Sequence, residues 1–417
     1  MLIPLTLSYL GADLYGLWMA VAAVTGMAAF ADLGLGNSLM TRLSVCQAAG
    51  DVTRARCYVA TAYLALSMMA LGVCAMLWLF AGVVPWSSLF NVAQPALNED
   101  ARLIALVCLT AFIVNVPLSL IVRVQYAYQR VARSNLWQTG GNLLALPLAI
   151  VAVRADLSPA AVVGAVVVAP LLGNLVTSFW TFARELPGLR PRLRYVRREV
   201  ASSLLGLGGA FLALTVVMSL AANVDALIVA HVLGLRSTTS FAVPARLFAQ
   251  VGLLVSMINT PLWTANGDAL ARGHVSWVRR STRRMTLVSL VGAALPAVVL
   301  VAAGDLLLGV LVGEALVPDR WLLAGLACWW TLMAVSSPCF MVQNAAGLVP
   351  PQLWGWTLYL LLSVPAKWFA ADHWGVAMVP WAGVAIGLVT LLPAALLGYR
   401  RVVLNAGRPA GDLAVCP

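Results

Sequence analysis

Four ionisable residues stand inside long apolar stretches of this chain, Asp32, Asp225, His231 and Arg246, and two further cations, Arg42 and Arg123, stand where such stretches end. A charge in hydrocarbon is costly, so each of these groups needs a partner, access to water or a task. Carboxylates and guanidinium groups so placed could hold an anion, hold a cation or pass a proton. Asp32 falls about 17 residues into its apolar stretch, roughly 25 Å of helix, which puts it in the inner half of a bilayer. Arg42 is nearly three turns further on, at the inner mouth. Asp225 and Arg246 flank a tight turn expected near residue 235 at equal distances, roughly 12 to 16 Å below the outer surface. That spacing predicts an ion pair between them, because either charge alone would be expensive. Two readings of the pair stay open: a clip between helices, or a site where Arg246 meets an anionic substrate and Asp225 holds or releases it. His231 reads as an interfacial side chain and Lys367, the one lysine, as a residue that snorkels outward.

The elements that must position these groups are membrane helices. Of the residues, 62% are hydrophobic and 10% charged, which excludes an ordinary soluble domain. Apolar runs at 14–45, 57–84, 101–122, 135–153, 159–183, 203–233, 238–265, 284–303, 320–343, 351–369 and 375–398 are each long enough to cross a bilayer. They predict helical crossings, since in lipid every backbone amide must be bonded within its own segment. Residues 1–10 add an apolar fragment too short to span. The segment 304–319 reads as an interfacial helix on the outer side, and Trp321, Trp329, Trp354, Trp368 and Trp374 as an aromatic belt.

Charge gives the orientation. Arg42, Arg54, Arg56, Arg123, Arg130, Arg133, the arginines of 184–198 and 272–284, and Arg400, Arg401 and Arg408 fall on one side, which the positive-inside rule makes cytoplasmic. The net charge of +11 is therefore mostly topology and no nucleic-acid footprint. The seven cysteines lack CxxC spacing and read as small apolar fillers, and nothing suggests a bound metal or an organic cofactor. The LGLGG run at 205–209 has no preceding strand and reads as close helix packing in place of a phosphate loop.

A repeat organises the whole. At an offset of 223, Leu10 and Gly11 match Leu233 and Gly234, while Gly50, Val52 and Thr53 match Gly273, Val275 and Ser276; Pro117 pairs with Pro338 at 221. The chain then divides into an N-terminal half, 1–183, a basic linker, 184–202, and a C-terminal half, 203–417. The expected fold is an all-α polytopic membrane protein of two parallel six-helix halves around a central cavity, about twelve crossings in all. The first is incomplete, and the repeat predicts about twenty further residues of it upstream of Met1. Asp32, Arg42 and Arg246 map onto Val255, Ala265 and Ala23, so these charges lie outside the repeated scaffold.

YLGADLYGLW at 9–18, FADLGLGN at 30–37 and the Gly50–Asp51 loop with its arginines resemble the polysaccharide flippases (Wzx type) of the multidrug/oligosaccharidyl-lipid/polysaccharide exporter superfamily. ANVDALIVAHVLG at 222–234 and LVGEALVP at 311–318 extend the likeness. The positions carried over are Gly16, Trp18, Asp32, Gly34, Gly36, Asn37 and Asp225. The resemblance implies movement of an undecaprenyl-pyrophosphate-linked oligosaccharide from the cytoplasmic to the periplasmic leaflet of a bacterial inner membrane. It implies no enzymatic step, and as partners the lipid-linked sugar, membrane lipids, and a polysaccharide polymerase with its chain-length proteins. Arg42, Arg123 and Arg246 would face the diphosphate. Protons, sodium or membrane potential would couple through Asp32 or Asp225. The rivals are a lipid II flippase, a cation-coupled drug exporter of the same superfamily and, from another class, a membrane glycan polymerase or ligase. The last should carry a sizeable outer loop with catalytic side chains, and every connection in this chain is short.

Overall fold

A computed structural model describes residues 2–27, 32–84, 86, 98–304 and 319–406. The predicted interfacial segment 304–319 and the 84–100 connection lie largely outside these residues. The described chain is helical, without strands, in the order α1 Leu2–Met27, α2 Leu35–Ala49, α3 Val52–Leu79, α4 Asn98–Ala127, α5 Val131–Leu143, α6 Ala145–Arg154, α7 Pro159–Trp180, α8 Arg198–Ala271, α9 Val275–Ala302, α10 Arg320–Ala345, α11 Pro350–Trp374 and α12 Val379–Asn405. Asp51 caps α3 by accepting from the Arg54 amide at 2.9 Å, and Asp319 caps α10 by accepting from that of Trp321 at 2.8 Å. Among the described residues nine helices are long and apolar enough to cross a membrane. The eleven expected crossings exceed these for two reasons. The 14–45 run is broken around Asp32, and α11 carries Gln352, Lys367, Asp372 and His373.

The repeat is visible in the backbone. Gly11 and Gly234, both with φ near +75°, interrupt α1 and α8 at the predicted offset of 223 (φ 70 and 80, ψ 171 and 173). Each is a one-residue turn that a side chain would strain, which is why glycine recurs there. Gly50 (φ 68) and Gly273 (φ 74) end the next helix in each half. Left-handed residues recur again as Gln129 with Gly347 and Asp156 with Gly375, at offsets of 218 and 219. Leu33 (φ 51) and Gly34 (φ 70) have no counterpart, because α8 runs unbroken from 235 to 271. The interruption beside Asp32 is the place where the first half departs from its own repeat.

Two compact units, Met1–Gly209 and Ala210–Pro417, make up the chain. The first packs Leu10, Leu14, Trp18, Ile104, Leu106 and Val163 into one core, and the second Ile228, Phe241, Phe248, Leu322 and Val379 into another. Inside a bilayer close backbone approach holds helices together. α5 and α7 meet glycine to glycine: a Cβ on Gly173 would stand 2.8 Å from the Gly141 Cα. Gly173→Leu is expected to cost about 1–3 kcal/mol by overpacking. An unfolding temperature in detergent equal to that of wild type would sink this contact.

The 184–202 linker is shorter and more ordered than its charge suggests. The helical path of α7 continues through a π turn to Glu185, and α8 begins at Arg198.

Candidate functional site

In the first unit the break before α2 leaves backbone amides unpaired in a region where water is scarce. Asp32 supplies the acceptors. Its Oδ1 accepts from the Gly34 amide at 2.9 Å and its Oδ2 from the Gly36 amide at 3.2 Å, while its carbonyl accepts from Leu35 N–H at 2.9 Å. The carboxylate also faces the positive end of the α2 dipole. Gly36 has no side chain because the space is taken. A Cβ there would stand 2.5 Å from Asp32 Oδ2 and 3.2 Å from the Arg123 Nε. Arg123, from α4, is thus brought to the same point as Asp32. Gly208 of the LGLGG run packs on this turn, its would-be Cβ 3.3 Å from the Leu33 carbonyl oxygen. That contact is the close packing expected of the run.

Asn37 lies half-buried in the first turn of α2, and Arg42 half-buried further along it. The Arg42 Nε and the Ser38 hydroxyl, one turn apart on α2, are both buried without a hydrogen-bond partner among the described residues. The first unit therefore assembles Asp32, Gly34, Gly36 and Arg123 at one break, with Arg42 on the same helix.

The second unit corrects the expected ion pair. Asp225 does not bind Arg246; its Oδ1 accepts from Lys367 Nζ at 2.5 Å. Arg246 is exposed on α8 and makes no ion pair among the described residues. Lys367 does not snorkel: it is 1% exposed. An ammonium so deep requires compensation on several sides. It also donates to the Tyr359 hydroxyl at 3.0 Å and lies 5.2 and 5.8 Å from the ring centroids of Tyr359 and Trp329. Trp329 stacks on Tyr359 at 5.2 Å, so it belongs to this box and not to the aromatic belt. Gly383 of α12 closes it, since a Cβ there would stand 2.9 Å from Lys367 Cε and 3.1 Å from the Tyr359 hydroxyl. Trp321, Trp354, Trp368 and Trp374 are exposed as a belt requires, and His231 lies 5.2 Å, ring to ring, from Trp368.

Sequence reasoning missed Lys367, Tyr359, Trp329 and Gly383. One signal was present: a single lysine in a chain that otherwise uses arginine for every basic position. A compact ammonium with three rotatable donors fits a small aromatic box that a planar guanidinium would not. The side chains are separated by up to 142 positions, so no local spacing brings them together. Among the described residues no cluster of His, Cys, Asp or Glu has the makings of a metal site.

The profile of a family described as polysaccharide biosynthesis protein matches residues 10–318. Curated protein sequences give no match. Solved structures are similar over nearly the full length. The MATE transporter VcmN of Vibrio cholerae in its bent form has a TM-score of 0.75 at 16% identity, over 97% of each chain. A multidrug resistance MATE family transporter of the MOP superfamily, in an outward-facing conformation, has a TM-score of 0.78 at 14% identity, over 97% of this chain and 92% of its own. A MOP superfamily transporter from Pyrococcus furiosus, described as having a binding pocket of reverse polarity that suggests a different function, reaches 0.75 at 16% identity, over 96% and 90%. At these identities the likeness shows the fold alone, and the nine long apolar helices among the described residues make the chain a multi-pass membrane protein.

Proposed function

We propose, from the premise that this chain belongs to the polysaccharide biosynthesis protein family, that it is a flippase for undecaprenyl-pyrophosphate-linked oligosaccharide, moving it from the cytoplasmic to the periplasmic leaflet of a bacterial inner membrane. The family match, joined to a transporter fold, carries the reading. The membrane-embedded charges support it. A diphosphate entering a low-dielectric path needs cations that are not already neutralised. Arg42 has a buried Nε without a hydrogen-bond partner among the described residues, and Arg123 reaches the break at Gly36, where Asp32 accepts from two backbone amides and forms no ion pair with it among the described residues. The headgroup would cross by alternating access, the mode of transporters built from internal repeats. The prenyl chain would stay in lipid throughout.

A cation-coupled drug exporter of the same fold would need an acidic lining for cationic amphiphiles. Here Asp225 is held by Lys367 and Asp32 by the α2 amides, so neither is free to bind such a drug. Coupling to protons, sodium or membrane potential would then fall to whichever of these carboxylates is released during the cycle.

Expression in a strain that lacks its own flippase should restore surface glycan. Arg123→Gln is expected to lower that restoration tenfold or more while leaving the amount of protein in the membrane unchanged. Well-expressed wild-type protein that fails across several glycan systems would remove the oligosaccharide as substrate.

A further inference from the structure

The residues between α7 and α8 leave one spanning helix, Pro159–Glu185, and enter the next, Arg198–Gly234, so both ends are tied to one face of the membrane. Residues 186–197 are too few to rise far from it. The level of the interface is marked at the entry. The Trp180 ring is exposed, and the Arg184 guanidinium lies 6.0 Å from its centroid, an aromatic and a cation paired as they are at headgroup depth.

The segment is not a loose tether. Leu189 is buried, and Arg56 of α3 donates to the Gly188 carbonyl and lies over the Tyr195 ring at 5.7 Å. The Arg197 amide donates to the Thr61 hydroxyl at 3.3 Å. Arg194 donates to the Tyr195 hydroxyl at 2.7 Å, a bond that lowers the Tyr195 pKa from its ordinary value. Two short 3₁₀ turns, Pro187–Leu189 and Leu193–Tyr195, complete a fixed path across the end of the first unit.

What this path presents is one-sided. Glu185 is already taken by Arg130 and by Arg133, the latter at 2.9 Å, and is 7% exposed. Arg184, Arg190, Arg192 and Arg198 are exposed, and the exposed carboxylates beside them among the described residues are Glu199 and Asp51, the latter next to Val52, which packs on Gly188. Among them Leu193, 76% exposed, has its apolar side chain uncovered. Leu193 stands between the exposed Arg192 and Arg194. A headgroup layer gives the leucine an apolar boundary and the arginines phosphates.

We propose that the segment 184–198 is a rigid strap that binds the phosphates of anionic phospholipids in the leaflet on its own side, with Leu193 set into the headgroup boundary. This is independent of what the protein transports. Arginine in place of lysine suits the role, because a guanidinium fork grips phosphate with two parallel bonds.

The test uses the full chain in nanodiscs of phosphatidylcholine with rising fractions of phosphatidylglycerol, read by thermal unfolding and by the lipid retained in native mass spectrometry. The acidic lipid should raise the unfolding temperature of wild type and be enriched around it. R190Q/R192Q/R198Q should lose that enrichment, by about fivefold for each arginine that meets a phosphate, and should unfold as wild type does in pure phosphatidylcholine. Leu193→Ser should lose part of it. A matched triple on α9, R279Q/R280Q/R283Q, should keep it.

Equal loss in the α9 triple would mean that general basic charge is responsible and would overturn the strap. So would a fall in stability of the strap triple in pure phosphatidylcholine, which would make these arginines part of the fold. Reversal of the wild-type lipid effect by inorganic phosphate at matched ionic strength would point to a free-anion site and equally remove the proposal.

Discussion

Lys367→Met is expected to destabilise the protein by about 3–5 kcal/mol, because it leaves the Asp225 carboxylate without its cation in a membrane-embedded setting. The ammonium it removes has Asp225 at 2.5 Å, the Tyr359 hydroxyl at 3.0 Å and two ring faces around it. The second substitution decides what the pair is for. Asp225→Leu together with Lys367→Met removes both charges, and an apolar pair of similar volume commonly recovers most of the loss or exceeds it. We expect the double variant to regain stability in equilibrium unfolding and to remain unable to restore surface glycan. Recovery of both would make the pair a clip between α8 and α11 with no part in transport. The repeat favours the first outcome. At 223 positions back Asp225 meets Leu2, and at the 219 offset of this region Lys367 meets Leu148, so the scaffold does not itself require the pair.

Arg246 was the wrong partner for an instructive reason. Counting outward from a turn fixes depth along two helices but not the rotation of either about its axis. Gly234, one residue with φ 80 and ψ 173, makes the tight turn between the two helices. The face that Asp225 presents is set by that dihedral and by packing, and it looks toward α11. The same limit applies to Trp329. Its position near a helix end suited an interfacial belt, yet its face stacks on Tyr359. Depth is a linear property of sequence and was legible. Azimuth is a property of packing and was not.

The repeat was legible for the opposite reason. A left-handed residue must be glycine or tolerate strain, so the turns of each half leave a trace in single residues: Gly11 with Gly234, Gly50 with Gly273. Asp156 and Gln129 take a positive φ without glycine, and there sequence comparison alone finds nothing. Helices were likewise written in hydropathy, because a bilayer leaves no other way to satisfy the backbone. The break beside Asp32 was hidden within an apolar run whose composition does not change across it. Its signal was the pair of glycines at Gly34 and Gly36, which is meaningful only once Asp32 is recognised as a cap.

That cap separates two roles of Asp32 which a single substitution would confuse. Asp32→Asn keeps a side-chain oxygen to accept from the Gly34 amide while removing the charge, whereas Asp32→Ala removes the acceptor as well. If the carboxylate serves only to end the break, Asn should behave as wild type and Ala should cost about 1–2 kcal/mol. The neighbouring cation argues for more. Arg123 reaches the same point beside Gly36 without an ion pair to Asp32 among the described residues, so its charge is available to a diphosphate. Asp32→Asn is therefore expected to keep its stability within about 0.5 kcal/mol and to lose tenfold or more in glycan restoration. Gly36→Ala should lose both, since its Cβ must displace the carboxylate 2.5 Å away. Unfolding curves and surface-glycan yield measured on the same three variants separate the cases. An Asn variant with full glycan yield would reduce Asp32 to the end of a helix.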